Sequence, residues 1–126
     1  MEVKVVDKVW GRELWIVNND KYCGKILELR AGFRCSYHYH KEKEETFYVL
    51  DGKILMEVDR EKRVMGPGKI QHIKPYQKHR FTGLENSRII EFSTHHEDSD
   101  SYRDTKSEKV NLCEILRELK SREIEI

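Results

Sequence analysis

The chain has 126 residues and a formal net charge of +1, with charged residues of both signs making up 37% of it. That length suits one domain with a core of its own, so no disulfide framework is needed. The mixed charge leaves no basic stripe to track a phosphate backbone, which argues against a nucleic-acid partner. Cys23, Cys35 and Cys113 are odd in number and show no C-x-x-C spacing, a pattern expected of free thiols in a reducing compartment. The opening MEVKVVDKVW lacks the apolar segment of a signal peptide. No apolar run approaches the ~18 residues of a membrane span. A soluble, cytoplasmic protein without membrane attachment is expected. Gln occurs only at 71 and 77 against abundant Lys and Glu, the composition trend of hyperthermophile proteins.

Residues 3–17 read as strand around a break at Trp10-Gly11, and Asn18-Asn19-Asp20 is a turn cluster. Strand character resumes at Tyr22 and runs through Lys25 to Leu29; Ala31-Gly32 leads into a further strand carrying Phe33, Cys35, Tyr37 and Tyr39. Lys41 to Glu44 is too charged for a core and reads as a turn before Thr46 to Leu50. Asp51-Gly52 is the strongest hairpin signal, pairing Ile54–Val58 back onto that strand. After a polar turn at 59–62, strands reach Met65, cover Ile70–Ile73, and return at 79–82 and 88–93. Many short strands with close turn signals predict an all-β sandwich or barrel. Residues 95–101 are polar and aperiodic. From Val110, Leu112, Ile115, Leu116 and Leu119 fall at helical spacing, predicting a short amphipathic helix that covers either its own barrel or a second subunit.

The chemistry concentrates between Gly32 and Gly52. Side chains two apart on a strand share a face, so His38 and His40 project together, and a turn at 41–44 brings Glu45 beside them. Two imidazoles and a carboxylate suit a borderline or moderately hard transition metal. The same parity sends Arg34 and Ser36 inward to meet a polar ligand, with Phe47 and Val49 as a floor, and turns Cys35 to the opposite face. An inward Arg34 is costly unless paired or wet, which an anionic ligand such as a sugar phosphate explains, as does a position at a solvated rim. Lys25 is a further ligand-binding candidate of unreadable register. His72 either lines the cavity or packs outside it. His95 and His96 read as a solvated loop pair, and no residue is singled out as a catalytic base.

The spacing Gly32, His38, His40, Glu45, Gly52 resembles the first motif of the cupin superfamily. The segment P-G-K-I-Q-H-I-K-P-Y-Q-K-H resembles the second, with Gly68 at its start and His79 in the fourth-ligand position; Lys74, Tyr76 and Gly83 depart from it. The stretches V-W-G-R-E-L-W-I-V-N-N, Y-C-G-K-I-L, H-R-F-T-G and E-F-S-T-H-H-E-D-S-D-S-Y-R look like small single-domain cupins labelled mannose-6-phosphate isomerase-like. The resemblance implies a cupin-type double-stranded β-helix, or jelly-roll barrel, over about 3–94, followed by a C-terminal loop and helix over about 95–126. It implies one divalent metal ion (zinc, manganese, iron, nickel or cobalt) on His38, His40, Glu45 and His79. It also implies a homodimer and a small polar ligand, a sugar or sugar phosphate. Three functions fit: a sugar or sugar-phosphate isomerase or epimerase using the ion as a Lewis acid, a non-catalytic sugar-binding module, and an iron-dependent dioxygenase.

Overall fold

The computed structural model describes residues 2–126. In chain order the strands are β1 (Lys4–Lys8), β2 (Gly11–Asn18), β3 (Cys23–Leu29), β4 (Phe33–Arg34), β5 (His38–Tyr39), β6 (Glu45–Asp51), β7 (Ile54–Val58), β8 (Glu61–Met65), β9 (Ile70–Ile73), β10 (His79–Gly83), β11 (Ser87–Ser93), β12 (Tyr102–Arg103) and β13 (Glu108–Lys109), followed by the helix α1 (Leu112–Ser121). They form two antiparallel sheets. The larger in residues has six strands, β1-β2-β3-β11-β6-β9; the smaller has seven that are mostly shorter, β12-β5-β10-β4-β13 with β7 joining through β10 and β8 through β7. The crossovers between distant strands close a jelly-roll barrel.

Alternation decides which face of each strand is inside. On β3, Cys23, Lys25, Leu27 and Leu29 are buried and the residues between them are not; β6 repeats this with Glu45, Phe47 and Val49. The inward apolar residues meet in one core. Trp10 stands edge-on to Phe81 at 5.3 Å between ring centroids, and Phe81 edge-on to Phe47 at 5.9 Å. The core fills one end of the barrel and floors the polar cavity at the other. At the Asp51-Gly52 turn, Gly52 has φ +84°, and a Cβ there would collide with Ser87. Only glycine fits that close approach of two turns, each of which crosses from one sheet to the other.

Three expectations change. The Asp51-Gly52 turn does not make a hairpin, because β7 leaves the sheet of β6 and pairs with β10 and β8 in the other sheet. Residues 33–40 are not one strand. β4 and β5 are separated by Cys35–Tyr37, where the Ser36 and Tyr37 N–H groups donate to Ser107 Oγ (3.1 Å) and Thr105 Oγ1 (2.9 Å) instead of to a neighbouring strand. Parity is lost across the break. Cys35 therefore packs in the core, with its Sγ accepting from the Phe81 N–H at 3.3 Å. Arg34 does not enter the cavity; it pairs with Glu108 on the outside of the smaller sheet.

The helix covers its own barrel. Asn111 caps it by accepting from the Glu114 N–H at 3.2 Å, Lys62 on β8 reaches Glu118 at 3.0 Å, and Leu119 is buried. No described helix is long and apolar enough to cross a membrane.

Candidate metal centre

His38 and His79 are directly opposed, since β5 and β10 pair in register at these two residues. His40 follows β5 immediately, and Glu45 opens β6. Each imidazole is aimed by its Nδ1: His38 toward the Ser36 carbonyl at 2.7 Å, His40 toward the Asp100 carbonyl at 2.9 Å, His79 toward the Gln77 carbonyl at 3.0 Å. A carbonyl can only accept, so each Nδ1 carries a proton, and Nε2 is the atom left to present a lone pair to a cation when the ring is neutral. The three histidines bring their ligand atoms within 4.8 Å of one another. This is the arrangement in which partners behind the ring fix the tautomer of a metal-ligating histidine.

Glu45 completes the set. Its Oε2 lies 3.0 Å from His79 Nε2 and 3.3 Å from His40 Nε2. Two donors on one ion at about 2.1 Å and a right angle apart stand about 3.0 Å from each other. Both Glu45 Oε2 and His79 Nε2 are fully buried without a hydrogen-bond partner among the described residues. Such orphaned atoms are costly to bury, and a cation between them would satisfy both. Burial drives His38 down to a pKa of about 3, helped by His79 and His40 and opposed by the Ser36 carbonyl. It therefore remains a neutral ligand at physiological pH. Burial alone would raise the Glu45 carboxyl, but Lys43, His40 and His79 outweigh it and hold the group well below its ordinary value.

Asp100 braces the loop that carries His40. Its carboxylate accepts from the N–H groups of Lys41 (2.9 Å), Glu42 (3.1 Å) and Lys43 (3.0 Å), while its carbonyl accepts from His40. Across from it, Tyr76 N–H donates to the His40 carbonyl at 2.7 Å, with Tyr76 itself at φ +71°. Tyrosine thus holds the left-handed conformation that glycine adopts without strain.

The cavity, about 80 Å³, is lined by more charge than alternation alone reveals. Lys43 is 3% exposed, which overturns the reading of 41–44 as a wholly solvated turn. Its Nζ contacts Glu91 at 2.7 Å, Glu45 at 3.5 Å and His96 Nδ1 at 3.0 Å. Burial acts to lower the Lys43 pKa, but Glu91 and Glu45 outweigh it and keep the ammonium charged. Lys43 has the parity of Glu45, Phe47 and Val49, so an inward lysine was readable from β6 extended backward. Lys25 faces the cavity, 1% exposed, with Glu13 at 3.4 Å and its Nζ 4.1 Å above the Trp15 ring.

His96 also differs from its expected place. Asn18 exchanges two hydrogen bonds with the His96 backbone (3.0 and 3.1 Å), turning the imidazole into the cavity, where Nε2 donates to Asp98 at 2.8 Å. His95 stays outside on the Asn19 carbonyl and Glu97. Ser36 lines the cavity with its Oγ 3.3 Å from His38 Nδ1. His72 points away from the barrel interior, is exposed, and pairs with Glu44.

Residues 25–92 match the model of the cupin domain. The chain is a cupin. It is 30% identical to a D-lyxose/D-mannose isomerase of Thermosediminibacter oceani, over 75% of this chain and 68% of that protein. Its fold is shared with KdgF from Halomonas sp. (TM-score 0.70, 19% identity, 76% of this cupin and 89% of that chain). It is shared also with the nucleoside dehydratase Pac13, of Streptomyces (TM-score 0.73, 10% identity, 90% and 91%). In this cupin the four expected ligands converge in one place. The fit to a single divalent cation rests on the three aligned tautomers and the two orphaned atoms.

Proposed function

We propose that this cupin is a metal-dependent aldose–ketose isomerase acting on a small sugar or sugar phosphate. The observation that carries the reading is the buried Lys43–Glu91 pair at 2.7 Å, set against the ligand Glu45 inside the cavity. A binding module has no need of a desolvated acid and base beside its ion, whereas isomerisation needs both. The similarity to a D-lyxose/D-mannose isomerase supports the same class.

A bound divalent ion would supply Lewis-acid polarisation of a sugar carbonyl. His38, His40, His79 and Glu45 would hold it. Glu91 would take the proton from the carbon next to the carbonyl and return it to the former carbonyl carbon, while the hydroxyl proton of the carbon it deprotonates passes to the former carbonyl oxygen, so the sugar isomerises with no other reactant. Lys43, held charged, donates hydrogen bonds to the oxygen on which negative charge develops. Lys25, the cross-strand neighbour of Glu91, and His96, in contact with Lys43, flank the pair and offer donors or acceptors to sugar hydroxyls. At about 80 Å³ the cavity takes the reactive end of an open-chain sugar rather than a whole ring.

The test is a panel of free and phosphorylated aldoses and ketoses incubated with metal-loaded protein in deuterated water. Interconversion with deuterium at the exchanged carbon is expected, with Glu91→Gln lowering kcat at least about 100-fold while the metal is retained. No turnover on any sugar with the ion bound would refute it. Oxygen uptake by the iron-loaded protein would move it to the dioxygenases.

A further inference from the structure

One row of side chains crosses the inner face of the smaller sheet: Arg103, His38 and His79 stand opposite one another on β12, β5 and β10. Residues directly opposed on antiparallel strands share a face. Alternation on β12 agrees, since Tyr102 turns outward to stack on Tyr39 at 5.2 Å between ring centroids, while Arg103 lines the cavity. An arginine therefore stands one strand, about 4.8 Å, from a candidate metal ligand. It lies exposed at the mouth. Arg12, Arg34, Arg80 and Arg88 each close on a carboxylate; Arg103 closes on none among the described residues. Asp104 beside it is drawn off by Lys78 at 2.6 Å. Other charges lining the cavity are held: Lys43 by Glu91 and Glu45, Lys25 by Glu13, Asp98 by His96.

We propose that Arg103 determines specificity: with the Ser107 hydroxyl it holds an anionic group, phosphate or carboxylate, at the end of the substrate remote from the ion. The inference rests on the reading of this cavity as a sugar site. Four basic and four acidic side chains line the cavity, so a divalent ion on the candidate ligands leaves it with positive charge in excess. A guanidinium beside a cation is repelled by it unless an anion lies between the two. The planar fork of arginine fits a carboxylate or a phosphate through two parallel N–H bonds. Ser107 Oγ accepts the Ser36 N–H at 3.1 Å, which leaves its own O–H to donate. At about 80 Å³ the cavity encloses only the reactive end of an open-chain sugar, so the far end emerges at the mouth, where Arg103 stands. Lys8, half-buried on the larger sheet and without an ion pair among the described residues, adds attraction at longer range. A neutral sugar leaves Arg103 to water and gains nothing from it. The inward guanidinium that alternation assigned to Arg34 is thus supplied by β12 instead.

Titration calorimetry of the metal-loaded protein tests this without requiring turnover, so it is decided separately from the isomerase reading. The probes are aldohexoses, each as the neutral sugar, the 6-phosphate and the uronate, which differ only at the far carbon. One or both anionic forms are expected to bind at least about 10-fold tighter than the neutral sugar, and the tighter of the two names the source of the anion. Arg103→Gln is expected to weaken the preferred form about 10–100-fold, with metal content and far-ultraviolet circular dichroism unchanged. Arg103→Lys should keep part of the preference, and Arg117→Gln, on the exposed side of α1, all of it. In the wild type the preference should also shrink as sodium chloride rises from about 0.02 to 0.5 M, a readout that depends on no variant. Equal binding of neutral and anionic forms, no binding of any anionic form, or a preference that survives Arg103→Gln in protein that keeps its metal would overturn the proposal. Isomerisation of neutral sugars alone would leave the catalytic reading standing and defeat this one.

Discussion

Replacing Asp100 by alanine isolates the brace behind the metal centre. The substitution removes a carboxylate that accepts from three consecutive N–H groups, those of Lys41, Glu42 and Lys43, and leaves all three to find water. Hydrogen bonds to a charged group contribute about 1.5–3 kcal/mol each when isolated. They share one carboxylate near solvent, where screening weakens each of them, so the expected loss at pH 7 is about 2 kcal/mol rather than the full sum. Burial works to raise the Asp100 carboxyl, but the N–H groups of Lys41, Lys43 and Glu42 outweigh it and hold it below its ordinary value. A group depressed in the folded state stabilises above its unfolded pKa, about 3.9 for aspartate, and loses that contribution as pH falls through the folded value. Urea unfolding of wild type and Asp100→Ala should therefore differ by about 2 kcal/mol at pH 7 and converge as pH drops below the aspartate range. A difference of the same size at pH 7 and at pH 3 would refute the carboxylate as its source. Metal affinity should fall about 10–100-fold in the same variant, since the loop carrying His40 is released.

Lys43→Met leaves Glu45 and Glu91 buried without their shared cation and should destabilise the metal-free protein by about 3–5 kcal/mol, read by urea midpoint; a loss under about 1 kcal/mol would show the cluster is not mutually dependent. Cys113 is exposed, Cys35 is pushed up to about 12 by burial, and Cys23 is raised by burial and Glu91. A thiol reagent should therefore titrate one cysteine rapidly in the native protein and all three in denaturant. His72→Ala and Arg34→Ala should leave metal content unchanged, because neither side chain lines the cavity; loss of metal in either would place them wrongly.

Local pattern was enough to pick out the proposed ligand set. His38 and His40 sit two apart, Glu45 opens the next strand, and His79 follows a glycine-led second segment; each of these is visible without tertiary information. Arg34 and Cys35 were misdirected because alternation was carried through a break. That break is made by Ser107 and Thr105, some seventy residues onward, whose hydroxyls accept the N–H groups of Ser36 and Tyr37. Lys43 looks solvated locally because its partner Glu91 lies on β11, paired with β6 but distant in sequence. His96 looked like loop because the side chain that turns it inward belongs to Asn18 at the end of β2. In each case the deciding contact is one that no window of sequence contains.

His38, His40, Glu45 and His79 are proposed to hold one divalent ion. Elemental analysis of untagged wild type beside His38→Ala and His79→Ala tests it most directly. About one equivalent of a single metal per chain is expected, lost in both variants while the fold is kept. Wild type that holds no metal after reloading with zinc, manganese, iron, nickel and cobalt in turn would contradict it.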